Sequence, residues 1–474
     1  MIQASVIDYE SKAAACRVHD MVLDLITRLA NEDSFLATTH DQQPRCQQDR
    51  IHRLSLQTSN EEYVKHLSSA NLCHVRSLIA DMCPKAFNRL PPLSTFPVLR
   101  VLCLNGCGLV DNRCFKEICN LIHLRYLGLR NAGITEIPKE IQKLQLLQVL
   151  DIWGTGIHEL PSTFVLLRKL VRICADTLKG VPAGFGNLKA LQQLDVPYIY
   201  VESPSMLNNF SGLTELRRMI FTFNEWDDGY VKPFLQCLSI LVSLEYLEID
   251  GPEEACDFSC SSCDRQIIPA EPDQQLQEID MINITMPTVP KWMSALSALT
   301  TLSITLLTLV EEGLHVLGSI PPLSRLVIRL DRGEELVINN AYRFQSLTKF
   351  EIMNITRVVF DQGAMPKLQT LWLRFGRMES SMGQSGDFAV GFENLSSLED
   401  VNVSLYYHAR PEELKAAKAT IQNAVDINKN KPSLEITHKP SLEITPKVTS
   451  ILFNNAITFC LIVQCEITFC SPSA

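Results

Sequence analysis

Residues 121–164 carry one apolar pattern twice, displaced by 23 positions. Leu121, Leu124, Leu127, Leu129, Ile134, Ile137 and Pro138 are answered by Leu144, Leu147, Leu150, Ile152, Ile157, Leu160 and Pro161. A unit this short cannot enclose a core, so each copy must stack on the next and share its burial. The same anchor recurs at Leu54, Leu78, Leu102, Leu127, Leu150, Ile173, Leu194, Met219, Leu247, Ile279, Leu302, Leu326, Phe350, Leu371 and Val401. Most steps between anchors are 21 to 25 residues.

A fixed period of this size, with apolar residues at L-x-x-L-x-x-L-x-L-x-x-x-x-I, is the signature of a leucine-rich repeat: one short strand plus a return segment. The expected fold class is α/β, a leucine-rich-repeat solenoid, horseshoe-shaped, with a parallel sheet on its concave face and a small N-terminal hairpin-helix segment. In ITEIP and IHELP the proline marks the return segment, because it cannot donate inside a strand or helix. The two longest steps coincide with insertions, an acidic Ser/Cys-rich stretch after Asp250 and GRMESSMGQSGDFAVG after Phe375. Such insertions project from a solenoid without breaking its stack.

Four segments follow. Residues 1–45 are not repeat: ASVIDYE and AACRV read as a hairpin, and Val18, Met21, Val22, Leu25 and Leu29 place an amphipathic helix over His19–Ala30. The polar run 38–50 reads as a linker. Residues 46–410 are the solenoid. Residues 411–432 hold a polar helix that would close the last repeat. Residues 433–474 read as an irregular tail in which KPSLEIT occurs twice, eight residues apart. Its apolar end, ILFNNAITFCLIVQCEITFC, is interrupted by Asn454, Asn455, Gln464 and Glu466, which disfavours a membrane-spanning helix.

A net charge of -10 argues against a phosphate-gripping groove. Asp8, Glu10, Lys12 and Asp20 leave no apolar leader in the first twenty residues. The 16 cysteines are therefore expected as free thiols, many within repeats as at Cys103, Cys107 and Cys174. Five N-x-[ST] triplets, at Asn209, Asn283, Asn354, Asn394 and Asn402, read as coincidences rather than glycosylation sites.

No pattern for chemistry emerges. There is no Gly-Lys pair for a P-loop, no G-x-S-x-G and no H-E-x-x-H. Cys256, Cys260 and Cys263 could begin a zinc site but lack a fourth ligand. Glu245 and Glu248 could form an acid/base pair, but they read more simply as solvated surface. The expectation is no enzyme, no catalytic residue, no metal and no cofactor. A binding surface is better defined, because alternation turns the residues beside the strand leucines outward. Those positions hold Arg125, Tyr126, Arg130, Asp151, Trp153, Asp195, Tyr198, Arg217, Arg218, Glu245, Tyr246, Glu248, Arg325, Arg329, Trp372 and Arg374. Aromatic and Arg residues dominate the energetics of protein interfaces, and exposed Trp153 and Trp372 stand out.

CRVHDMVLDLI, then RIHRLSLQ and the repeats, resembles plant intracellular nucleotide-binding leucine-rich-repeat immune receptors from about residue 4 to residue 432. VHD resembles their methionine-histidine-aspartate motif, with Val18 in place of Met. The resemblance implies that residues 1–45 are a remnant of the winged-helix part of a nucleotide module. It also implies that His19 and Asp20 match a nucleotide-sensing pair, orphaned here because the family's P-loop lies before the motif. ADP or ATP would be bound only if that module were supplied. The implied function is protein recognition in plant defence: binding a pathogen effector or guarded host protein, and packing on a receptor's nucleotide module. The implied location is cytoplasmic, with no nucleic-acid partner. A general intracellular repeat scaffold is the alternative.

Overall fold

The computed structural model describes residues 2–7, 13–18, 37–38, 51–56, 71–80, 90–108, 110–252, 275–376, 391–405 and 411–438. Two compact units divide the chain, their described parts ending at Leu178 and beginning at Lys179.

In the first unit β1 (Ile2–Ile7) and β2 (Ala13–Val18) pair antiparallel, as the alternation of apolar residues predicts. The expected helix over His19–Ala30 lies outside the described residues. A run of short parallel strands follows: β3 (Ala37–Thr38), β4 (Arg53–Ser55), β5 (Ser77–Ile79), β6 (Val101–Cys103), β7 (Tyr126–Gly128), β8 (Val149–Asp151) and β9 (Arg172–Cys174). A two-residue strand, β10 (Thr177–Leu178), closes the unit. Register places Leu54, Leu78, Leu102, Leu127, Leu150 and Ile173 in one column, and all six are buried. Removing each such side chain from water contributes about 1.5–3 kcal/mol, shared across neighbouring repeats.

The return segments follow the prolines. Pro138 and Pro161 immediately precede 3-10 helices Lys139–Lys143 and Ser162–Leu166, which bury Ile141 and Phe164. Between β6 and β7 the return is instead α1 (Asn112–Ile118), capped by Asp111, whose carboxylate accepts from the backbone N–H groups of Arg113 and Cys114.

The second unit repeats the plan with longer strands. These are β11 (Gln193–Asp195), β12 (Tyr198–Val201), β13 (Arg218–Phe223), β14 (Tyr246–Asp250), β15 (Glu278–Met286), β16 (Thr301–Leu306), β17 (Arg325–Ile338), β18 (Lys349–Phe360), β19 (Thr370–Phe375), β20 (Asp400–Leu405) and β21 (Ser433–His438). Met219, Leu247, Ile279, Leu302, Leu326, Phe350, Leu371 and Val401 form its buried column. Both insertions leave this register intact: Leu247 still faces Ile279, and Leu371 faces Val401. The pairing of β15 and β18 shifts register across Asn283 and Asn354, which sit at φ 55° and 62°, a left-handed conformation that asparagine tolerates. Phe185, Phe210, Phe221 and Phe234 then stack edge-on at 5.2–6.0 Å between ring centres. Among the described residues the remaining α-helices are α2 (Asp228–Ile240), α3 (Glu311–Gly318) and α4 (Pro411–Ile427).

Two expected boundaries change. Residues 37–38 fall within the segment assigned before the solenoid, yet β3 pairs in parallel with β4, Ala37 opposite Leu54. At the other end, α4 does not close the array. It is the return segment to β21, which pairs along β20 with Leu434 opposite Val401 and Ile436 opposite Val403. The first PSLEIT copy, which falls in the stretch expected as an irregular tail, offers only two apolar residues, Leu434 and Ile436. Its alternation suffices here because polar pairs accompany it: Asn402 Nδ2 donates to Glu435 at 2.9 Å, and the Ser404 and Thr437 hydroxyls lie 2.8 Å apart.

The five N-x-[ST] asparagines have a structural use. Each amide nitrogen donates to a neighbouring repeat: Asn209 to Val181 O, Asn283 to Asp250, Asn354 to Leu330 O, Asn394 to Phe360 O and Asn402 to Glu435.

Candidate recognition surface

In each unit alternation leaves one strand face to the leucine core and the other open. On the open face of the first unit, Val101, Tyr126, Val149 and Arg172 form one row and Cys103, Gly128, Asp151 and Cys174 the next. This face is more closed than the sequence predicts. Tyr126 is 2% exposed and forms a buried cluster with Val101 and Cys103, with Ile79 and Val149 against it. The reason lies two residues on: the ring leans over Gly128, where an added Cβ would stand 3.1 Å from the Tyr126 ring and 3.1 Å from Asn105 Oδ1.

Arg130 and Asp151 are equally committed. The Arg130 Nε donates to Asp151 Oδ2 at 2.6 Å, and both side chains are nearly covered. The Arg130 backbone N–H donates to Asn105 Oδ1 at 3.0 Å, and the Trp153 N–H reaches Asp151 Oδ1 at 3.3 Å. Burial pushes the Asp151 carboxyl above its usual range, against the pull of Arg130. Asp176 is shifted upward too, again mainly by burial, while accepting from the N–H of Gly154. Gly154 sits at φ +73°, where an added Cβ would meet Asn131 Oδ1 at 1.9 Å. Trp153 was expected exposed; it is half-buried in this network. Arg125 is also half-buried.

The second unit's open face is polar and more accessible. Arg218 stacks its guanidinium 3.7 Å from the centre of the Tyr246 ring. The Tyr246 hydroxyl donates to Glu248, and burial pushes both groups upward in pKa. Exposed Arg217 pairs with Glu245 at 3.0 Å. Glu245 and Glu248 are thus engaged with different partners rather than facing each other as an acid/base pair. Arg329 donates to Ser303 Oγ at 2.7 Å, and Arg374 pairs with Glu351 at 3.2 Å. Trp372 is 41% exposed, as its position predicts, and Tyr198 is 42% exposed, whereas Asp195 is buried. Arg325 is half-buried on β17.

The residues singled out in the sequence leave out others of this face. Register sets Glu278 and Asp280 on β15, Thr301, Ser303 and Thr305 on β16, and Lys349 on β18 beside the residues just described. The alternation that exposed Arg325 would have found each of them.

His19 and Asp20, and Cys256, Cys260 and Cys263, lie outside the described residues. Among the described residues no group of three or more His, Cys, Asp or Glu side chains could hold a metal ion, and no helix is long and apolar enough to cross a membrane. The buried thiols are structural in character: burial pushes Cys119 and Cys237 up to about 12, far from the thiolate a nucleophile requires.

The family described as a leucine-rich repeat region matches residues 74–434. The chain is 26% identical over 489 residues to the disease resistance protein Pik-2 of Oryza sativa subsp. japonica, across 89% of this chain and 45% of that protein. It is 25% identical over 458 residues to the disease resistance protein PIK6-NP of the same organism, covering 83% and 42%. With the disease resistance protein RGA5, also from that organism, it shares 28% identity over 217 residues, covering 45% and 19%. The chain therefore spans less than half the length of these relatives. A solved leucine-rich-repeat protein of Leptospira interrogans covers 79% of this chain and 98% of its own, at 16% identity and a TM-score of 0.48.

Proposed function

The chain belongs to the leucine-rich repeat region family, and from that membership we propose that it is the protein-recognition module of a plant immune receptor. It binds a pathogen effector or a guarded host protein through its open strand faces. In a full receptor it also packs on the nucleotide module. The observation that carries this reading is the match across 89% of the chain to a protein named for disease resistance. The second unit's face supports it with an exposed Trp beside a paired Arg, since such residues anchor protein interfaces.

The module works in the cytoplasm, catalyses no reaction and holds no nucleotide alone. Titrating ADP with Mg²⁺ into the chain is expected to give no heat of binding; a measurable affinity would assign His19 and Asp20 a working role.

The binding test belongs on Trp372 and its neighbour Arg374, away from Arg130, which neutralises a buried Asp151 and whose loss would destabilise the repeats. Proteins captured by the chain from infected leaf extract are purified and titrated individually against it. The double substitution Trp372→Ala and Arg374→Ala is expected to weaken at least one of them tenfold or more, with thermal unfolding unchanged. Equal affinity for every captured protein rejects this face as the recognition surface, and a captured set of housekeeping complexes alone favours a general scaffold.

A further inference from the structure

We infer that the open face of β14 to β18 receives a partner segment of opposite polarity, with cationic side chains where it crosses β14 and β15 and anionic ones where it crosses β17 and β18. This rests on the recognition reading above and specifies its partner. Two cross-strand pairs carry the argument. Glu248 on β14 stands directly opposite Asp280 on β15, and Arg325 on β17 stands directly opposite Lys349 on β18. Like charges in direct cross-strand register destabilise a sheet. A sheet arranged for its own stability would bring these four into opposite-charge pairs. Instead β16 separates the two poles with hydroxyl side chains alone, Thr301, Ser303 and Thr305.

The acidic pole is also incompletely satisfied. Asp280 Oδ1 is buried without a hydrogen-bond partner, a state that costs free energy until a donor arrives. At the other pole Arg329 spends one donor on the neutral Ser303 hydroxyl rather than on a carboxylate. Departures of this kind from self-consistency concentrate at functional sites. The acidic pole and the net charge of -10 disfavour a nucleic acid. The basic pole beside it disfavours a simple cation site, which leaves a zwitterionic stretch of protein.

The spacing fixes the pattern. Neighbouring strands lie ~4.8 Å apart, so three spacings separate the poles by ~14 Å. An extended segment rising ~3.3 Å per residue crosses that span in about four residues. The matching segment therefore has a Lys or Arg pair followed, four positions on, by an Asp or Glu pair, read in either chain direction.

The test uses the full chain and two terminally blocked, biotinylated peptides of equal composition, Lys-Lys-Ser-Ser-Glu-Glu and Lys-Glu-Ser-Ser-Lys-Glu. Each is cross-linked to the protein with a carbodiimide at low ionic strength, and the products are mapped by mass spectrometry. The first peptide is expected to join Glu248 or Asp280 through its lysines and Lys349 through its glutamates, in at least tenfold higher yield than the second. Asp280→Asn and Lys349→Gln, which remove charge without adding bulk, are each expected to lower that yield severalfold. Equal yields from the two peptides, attachment elsewhere, or indifference to both substitutions would overturn the inference. If partners captured by the chain still depend on Trp372 while the peptides fail, recognition stands and only the polarity falls.

Discussion

A carboxylate on an open strand face is ordinarily solvated; Asp151 and Glu248 are not, and neither is Asp176 just beyond β9. Burial raises Asp151, Asp176 and Glu248 above their usual values. Each therefore binds its proton more tightly folded than unfolded. The stability each contributes is complete below the unfolded value, about 3.9 for Asp and 4.3 for Glu, and is lost as pH rises through the raised folded value. Glu248→Gln removes one of these titrations. Its melting temperature, set against the parent's by calorimetry from pH 4 to pH 7.5, should show a difference that grows in the variant's favour as pH rises. A flat difference would mean that Glu248 is solvated. Alternation told correctly which way these side chains face, since Asp151 and Glu248 both lie opposite the leucines. It could not tell how far neighbours cover them. Tyr126 was misjudged for the same reason, because its burial depends on a glycine two positions away and on adjacent strands.

At the scale of the element, most repeats are three or more strand residues whose leucines complete the neighbours' core. Within each unit the anchors from Leu54 to Ile173 and from Met219 to Val401 pair in the expected register, including Ile279 after a long insertion. That success has a physical basis: a leucine column buried on both sides leaves one acceptable phase. Leu127→Asp should therefore be felt beyond its own strand. Placing a carboxylate there removes a fully buried side chain and should cost at least the 2–5 kcal/mol typical of deleting a core leucine. Amide exchange is expected to accelerate in β6 and β8 as well as β7, and protection retained in both neighbours would refute shared burial. The elements the sequence concealed are those with little apolar signal. β3 is two residues long, and β21 relies on hydroxyl and amide pairing as much as on Leu434 and Ile436.

Across the whole molecule, the repeat pattern made the architecture legible and left its limits obscure. The return helix α4 looked like a terminal cap because its polar sequence suits one, yet Asn428 just beyond it is buried and donates to Phe392 O at 2.6 Å and Leu395 O at 3.1 Å. These bonds tie the turn into β21 to the preceding repeat. A chain ending at His438 is therefore expected to melt several degrees above one ending at Ile427, by circular dichroism under identical conditions. Equal melting would make β21 an ornament of the array rather than a working strand. The recognition face was partly legible, because tryptophan and arginine announce themselves. The pairing of like charges across strands follows from the same anchors, with Glu248 and Asp280 each one position after theirs and Arg325 and Lys349 each one before, but no residue type draws attention to it.

The asparagine amides carry a practical lesson for anyone producing this protein. A host that exports it would meet five acceptor sequons on the nascent polypeptide, and a sugar attached at Asn354 would take the nitrogen that must later reach Leu330 O and Asp331 O. An exported preparation should therefore silence that sequon at its hydroxyl residue, as in Thr356→Val, and keep the asparagine whose amide closes one coil of the chain upon the next.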